Sequence, residues 1–152
     1  MTSVQRVFFC CAFLTYTMSA IADISVIVNP ANVQAIDKVT LRKIFLGKQS
    51  RFPDDTPAIP LAQPEYSRTA QQFNLLLLNK NKIQYKSHWA RLIFTGQGHP
   101  PETAYNDREV IEYVKNHPEA VSYIDSSALN KDVKEVLRLN LSRYQEYLDQ
   151  NM

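Results

Sequence analysis

The sequence predicts an α/β fold, one sheet of four or five strands flanked by helices. Three observations carry this. Short β-branched runs such as Ile24-Ser25-Val26-Ile27-Val28 have the length and composition of strands. Longer stretches place apolar residues at helical spacing, as in Tyr85, Trp89, Leu92 and Ile93. The two patterns alternate along the chain with turn residues between them, which is how helices come to pack on a sheet.

The first 22 residues read as a secretory signal peptide. Arg6 supplies the charge of a short n-region, Val7 to Leu14 is an unbroken apolar run, and Ala20-Ile21-Ala22 is an A-x-A site with cleavage expected after Ala22. The apolar run is too short for a transmembrane helix, which takes roughly 20 residues. Removing 22 of the 152 residues leaves about 130, enough for one domain (23–152) with a substantial core. Both cysteines, Cys10 and Cys11, lie in the signal, so the exported domain must be stable through packing alone. Lys and Arg number 17 against 15 Asp and Glu, and losing Arg6 brings the balance closer to neutral. That leaves no electrostatic footprint for nucleic acid.

The elements follow in order. Ile24–Val28 reads as a buried strand ended by Asn29-Pro30. Residues 39–46 read as a short helix with Thr40 as N-cap, Val39 and Ile44 as a hydrophobic staple, and Gly47 at the left-handed C′ position. Gln49 to Pro57 is a turn-rich loop. Ala58 to Ala62 is a short strand, and Pro60, lacking an N–H, puts it at an edge or strand end. A helix is expected from about Arg68 to Leu78, with Ala70, Phe73, Leu76 and Leu77 inward. A second runs from about Ile83 to Phe94, with Tyr85, Trp89, Leu92 and Ile93 inward and Gly96 closing it. Gly96 to Pro101 is a turn. Asn106-Asp107-Arg108-Glu109 reads as a capping box for a helix through Lys115 with Val110, Ile111 and Val114 inward. Ala120–Ile124 and Val133–Leu137 read as strands. Ser142-x-x-Gln145 opens a terminal helix over 142–150 with Tyr144, Tyr147 and Leu148 on one face.

Catalytic patterns are missing. His88, His99 and His117 lack zinc-ligand spacing, so they suit surface or capping roles, and no metal or cofactor is expected. The domain has no thiol nucleophile, and no G-x-S-x-G elbow, Walker loop or G-x-G-x-x-G occurs. No nucleophile–base spacing supports an enzyme. One constellation has a chemical rationale. Ser67-Arg68-Thr69 lies where a strand passes through a short loop into a helix. The first turn of a helix has unpaired N–H groups and the positive end of the macrodipole. Two hydroxyls and a guanidinium there can hold a phosphate-like oxyanion, with Gln63 and Tyr66 at the rim. The same residues also suit a plain helix cap, Ser67 capping and Arg68 in solvent.

Several phrases together resemble the phosphate-type periplasmic solute-binding proteins, the substrate-binding components of ABC transporters. Asn29-Pro30 followed by Thr40 to Lys48 is similar to that family's strand exit and "I-F-x-G-K" helix. Ala58-Ile59-Pro60-Leu61 resembles the strand before its anion loop, and Phe73 matches a phenylalanine of the following helix. Trp89 to Gly98 resembles "W-x-x-x-x-F-x-G-x-G", and Val114 to Ile124 resembles the approach to "N-P-G-A-I-G-Y". The resemblance covers nearly the whole domain in the right order. It implies the type II periplasmic-binding-protein fold. Full-length members clamp a ligand between two lobes, so a domain this size resembles a small single-lobe relative. The departures are Arg68 where the family's S-G-T loop has glycine, and Glu119 and Ser122 in place of the two glycines of G-A-I-G-Y.

The expected function is a periplasmic, non-enzymatic binder of phosphate or a related oxyanion, linked to phosphate ABC transport, with Ser67, Arg68 and Thr69 as its anion contacts. Its expected partners are a membrane permease, a sensor or a second such chain. The alternative is a ligand-free interaction or adaptor protein on the same fold.

Overall fold

The fold starts with a strand buried on both faces. The computed structural model describes residues 22–142 together with Gln145 and Asp149. In it β1 (Ile24–Val28) lies between β4 (Ala120–Asp125) and β5 (Lys134–Leu139), antiparallel to both. Ile24, Val26 and Val28 join one apolar cluster and Ile27 joins another. Burial on both sides is why this strand reads as a continuous apolar run instead of an alternating one. The other strands are β2 (Ile59–Ala62) and β3 (Glu102–Thr103), and the sheet order is β3-β2-β4-β1-β5. β2 runs parallel to both β3 and β4.

Helices α1 (Lys38–Phe45), α2 (Arg68–Leu76), α3 (Lys82–Phe94) and α4 (Asp107–Asn116) cover the sheet. The larger cluster holds Leu41 and Phe45 of α1, Phe73 of α2 and Trp89 of α3. Its centre is aromatic: Phe73 stacks on Tyr123 of β4 at 3.7 Å, with Phe45 edge-on to Phe73 at 4.7 Å. Each ring stabilises the fold by roughly 1.5–3 kcal/mol through burial. On the other face α4 packs Val110, Ile111 and Val114 against Ile27, Leu61 and Ile124.

Within residues 22–142 the predicted strands and helices are present, with local differences. The N-cap of α1 is Asp37, not Thr40: the Asp37 carboxylate accepts from the Thr40 backbone N–H at 2.7 Å. The earlier start moves the staple positions to Ile36 and Leu41, both buried, and leaves Val39 exposed. Gly47 does take the left-handed conformation, at φ +69°. The Gly47 and Lys48 amides donate back to the Ile44 and Lys43 carbonyls, a Schellman ending. α2 stops at Leu76, two residues short of the expected end, with Leu77 as C-cap and Asn79 at φ +53°. α3 is closed by Gly96 as expected, but Ile93 faces solvent at 49% exposure while His88 is buried in its place. The Glu109 carboxylate accepts from the Tyr105 backbone N–H at 2.9 Å, so the capping box at α4 closes one residue outside the cap. β3 was not expected, because two exposed polar residues carry no readable period. Pro60 pairs only toward β4, because β3 begins opposite Leu61, so it occupies the edge portion of β2.

The signal peptide lies outside the described residues, as do Tyr144, Tyr147 and Leu148 of the expected terminal helix. Leu141 and Ser142 are helical, as are Gln145 and Asp149.

Candidate functional site

Strands β2, β3 and β4 are parallel, so their carboxyl ends lie at one edge of the sheet. In open α/β sheets that edge is where ligands bind. Here β2 leads into α2 and β3 leads into α4, so two helix N-termini open onto the same edge.

Polar side chains of β4 fix the exit of β2. The Ser122 hydroxyl donates to the Leu61 carbonyl at 2.7 Å. The Gln63 backbone N–H donates to the Tyr123 hydroxyl at 3.0 Å, and its Nε2 donates to the Tyr123 carbonyl at 3.2 Å. Burial holds the Tyr123 phenol far above its ordinary range, so it stays a neutral acceptor. Ser122 therefore has a structural task where the resembled family has glycine. Glu119, the other departure, precedes β4 and lies at the opposite edge of the sheet, beside Ile59. It does not face the carboxyl ends of the strands.

Gln63 also donates from Nε2 to Asp107 Oδ1 at 2.6 Å, tying the β2 exit to the first turn of α4. Gln63 is thus buried with its amide engaged, not an exposed rim residue. Burial raises the Asp107 pKa above the usual carboxylate range, against the lowering effects of Gln63 and the Asp125 backbone N–H; the nearby Asp125 carboxylate raises it further.

The three expected anion contacts stand together at the start of α2. Ser67 is its N-cap, and its Oγ accepts from the Ala70 backbone N–H at 3.0 Å. This is the capping geometry, and it leaves the hydroxyl hydrogen free to donate. Arg68 is exposed and makes no hydrogen bond or ion pair among the described residues. Thr69 is half-buried, with its hydroxyl likewise unengaged. As first-turn residues, Arg68 and Thr69 present backbone N–H groups with no acceptor inside the helix. Two hydroxyls, a guanidinium and free amides at a helix N-terminus can hold a tetrahedral oxyanion.

An exposed tyrosine precedes the N-cap of both α2 and α4. Tyr66, at N′ of α2, is 75% exposed, and Tyr105, at N′ of α4, is 73% exposed.

The histidines stay out of the crevice chemistry. His88 Nε2 bonds the Leu46 carbonyl at 3.0 Å and His117 Nδ1 bonds the Tyr113 carbonyl at 2.7 Å, both at helix ends. Among the described residues no group of His, Cys, Asp and Glu could hold a metal, and no helix is long and apolar enough to cross a membrane.

No family model matches the chain, and no curated protein matches it in sequence. Solved structures do share its fold. An ABC-type phosphate transport receptor from Vibrio cholerae superposes with a TM-score of 0.61 at 17% identity, over 76% of this chain and 45% of that one. A Clostridium perfringens protein described as a phosphate ABC transporter substrate-binding protein, solved with bound phosphate, gives 0.62 at 14% identity, over 84% and 51%. The PstS of Borrelia burgdorferi gives 0.57 at 14% identity, over 84% and 62%. The chain thus spans less than two thirds of each of these proteins. At such identities the likeness is one of fold.

Proposed function

We propose that this chain is a non-enzymatic solute-binding protein that works in the periplasm and takes phosphate or a related oxyanion at the carboxyl edge of its sheet. The observation that carries the reading is the start of α2, where Arg68 stands exposed and unpaired beside the Ser67 cap and the free first-turn amides. Ser67 and Thr69 donate hydroxyl hydrogen bonds, and the guanidinium of Arg68 supplies a charge-assisted, bidentate contact. Gln63 holds the loop in place from behind, and Tyr66 lies at the rim. Residues 1–22 direct export and are removed after Ala22. The shared fold with phosphate transport receptors supports a role beside an ABC permease. A second reading, a ligand-free interaction protein, is favoured by the exposed Tyr66 and Tyr105 just before α2 and α4, since aromatic and arginine side chains carry much of the energy at protein interfaces.

Thermal unfolding with phosphate, and with sulfate and chloride at matched ionic strength, tests the first reading. A ligand at about 100 times its Kd adds roughly 2.7 kcal/mol, which for a domain this size is several degrees in Tm. Arg68→Ala should abolish the shift while leaving the unliganded Tm within about 2 °C, because an exposed side chain without partners contributes little to stability. No shift with any oxyanion would reject the solute-binding reading and leave the interaction protein.

A further inference from the structure

β5 is the outermost strand on its side of the sheet, and a groove of about 720 Å³ lies beside it. Leu75 and Leu76, from the end of α2, and Leu137 and Leu139 of β5 form its apolar wall, and Lys38 and Arg138 are its charged residues. Leu76 and Leu137 are only partly covered, although both pack on the main core. An edge strand beside an apolar groove is a template for unwanted strand pairing unless something covers it.

We propose that the cover is this chain's own C-terminal segment, residues 143–152, seated in the groove with Tyr144, Tyr147 and Leu148 toward Leu76 and Leu137. Four observations support this occupant. Asn140 lines the groove, so the chain leaves the sheet from its rim. Leu141, the next residue, is buried. Ser142, Gln145 and Asp149 are helical and exposed, and at 100° per residue they fall within about 60° of one another. On a continuous helix through these positions, Tyr144, Tyr147 and Leu148 would fall outside that arc. Ten residues follow Ser142; as a helix they span about 15 Å, comparable with the roughly 20 Å of a six-residue strand.

The test uses the full chain with Cys10→Ser and Cys11→Ser, which leaves no cysteine. Leu148→Cys is combined in turn with Leu76→Cys and with Leu137→Cys, and each pair is treated with a short bismaleimide linker. An intramolecular cross-link in either pair, absent from a control pair of Leu148→Cys with Val33→Cys, is the expected result. In parallel, Leu148→Asp should lower Tm by several degrees and promote self-association in sedimentation. If neither pair links within the chain and Leu148→Asp leaves Tm unchanged, the segment does not seat there. Links between chains in place of links within them would assign the groove to a second copy and overturn the proposal as well.

Discussion

Gly47 is held by two independent constraints, and substitution can separate them. Its φ of +69° disfavours any side chain, at a cost of about 1–2 kcal/mol in the left-handed region. A Cβ built on it would also lie 3.0 Å from Cη2 and 3.3 Å from Cζ3 of Trp89. Trp89 has little room to retreat, since it is buried and edge-on to both Tyr85 and His88. Overpacking of that kind costs about 1–3 kcal/mol. Gly96 is the control: its φ is +68°, yet nothing lies within 4 Å of its added Cβ. Gly96→Ala should therefore show the backbone cost alone, reduced by up to about 1 kcal/mol through the stiffer unfolded chain. Gly47→Ala should cost about 1–3 kcal/mol more, or roughly 4–12 °C in Tm at about 4 °C per kcal/mol. Urea unfolding followed by far-UV circular dichroism measures both. The single ring of Phe does not reach as far as the Cη2 and Cζ3 atoms of the fused indole, so in a Trp89→Phe background the cost of Gly47→Ala should fall to that of Gly96→Ala. Equal costs for the two glycines in the parent chain would refute the steric argument.

Two further predictions concern titrating groups. Burial raises the Asp107 pKa in the fold, so stability should decline as pH climbs through that raised value; Asp107→Asn, which keeps an acceptor for Gln63, should flatten the decline and, under the anion-binding reading, tighten sulfate at neutral pH, as pH-dependent unfolding and titration calorimetry would report. A steeper decline in Asp107→Asn would contradict this. His88 is lowered from its ordinary value first by burial, with the Leu46 carbonyl opposing, so its contribution is complete above about pH 6.5 and is lost as pH falls through the lower folded value; His88→Gln should reduce the drop in Tm between neutral and mildly acidic buffer, and an unchanged drop would mean another group controls it.

What could be read ahead of the structure was whatever repeats or punctuates. β1, α4 and β4 carry long periodic or apolar runs, and Gly47 and Gly96 mark helix ends by a conformation that few other residues adopt. The cap of α1 was misplaced because Asp37 and Thr40 are both good caps, and only the buried position of Ile36 decides between them. β3 could not be read because two residues have no period. In the candidate site, the Ser67-Arg68-Thr69 cluster was visible because it is contiguous. Asp107 and Tyr123 were not, because each acts on the loop through a contact some 40 to 60 residues away in sequence.

The geometry also bears on how tightly such a site can hold its ligand. Every contact available to an anion at the start of α2 comes from one side: the hydroxyls, the guanidinium and the first-turn amides belong to three consecutive residues. The wall behind them is rigid, since Gln63 is fastened to β4 and α4 by three hydrogen bonds. Orientation is therefore organised in advance, which lowers the entropy cost of binding. Desolvation is not, because Arg68 is exposed and water can compete for each of its donors. Coulomb attraction falls steeply with dielectric, so the same guanidinium would gain several-fold in interaction strength if a second surface closed over it. Selectivity among oxyanions can thus be built into this chain, whereas high affinity requires whatever covers the crevice. A calorimetric Kd for phosphate in the micromolar range or tighter, measured on the isolated monomer, would contradict this division.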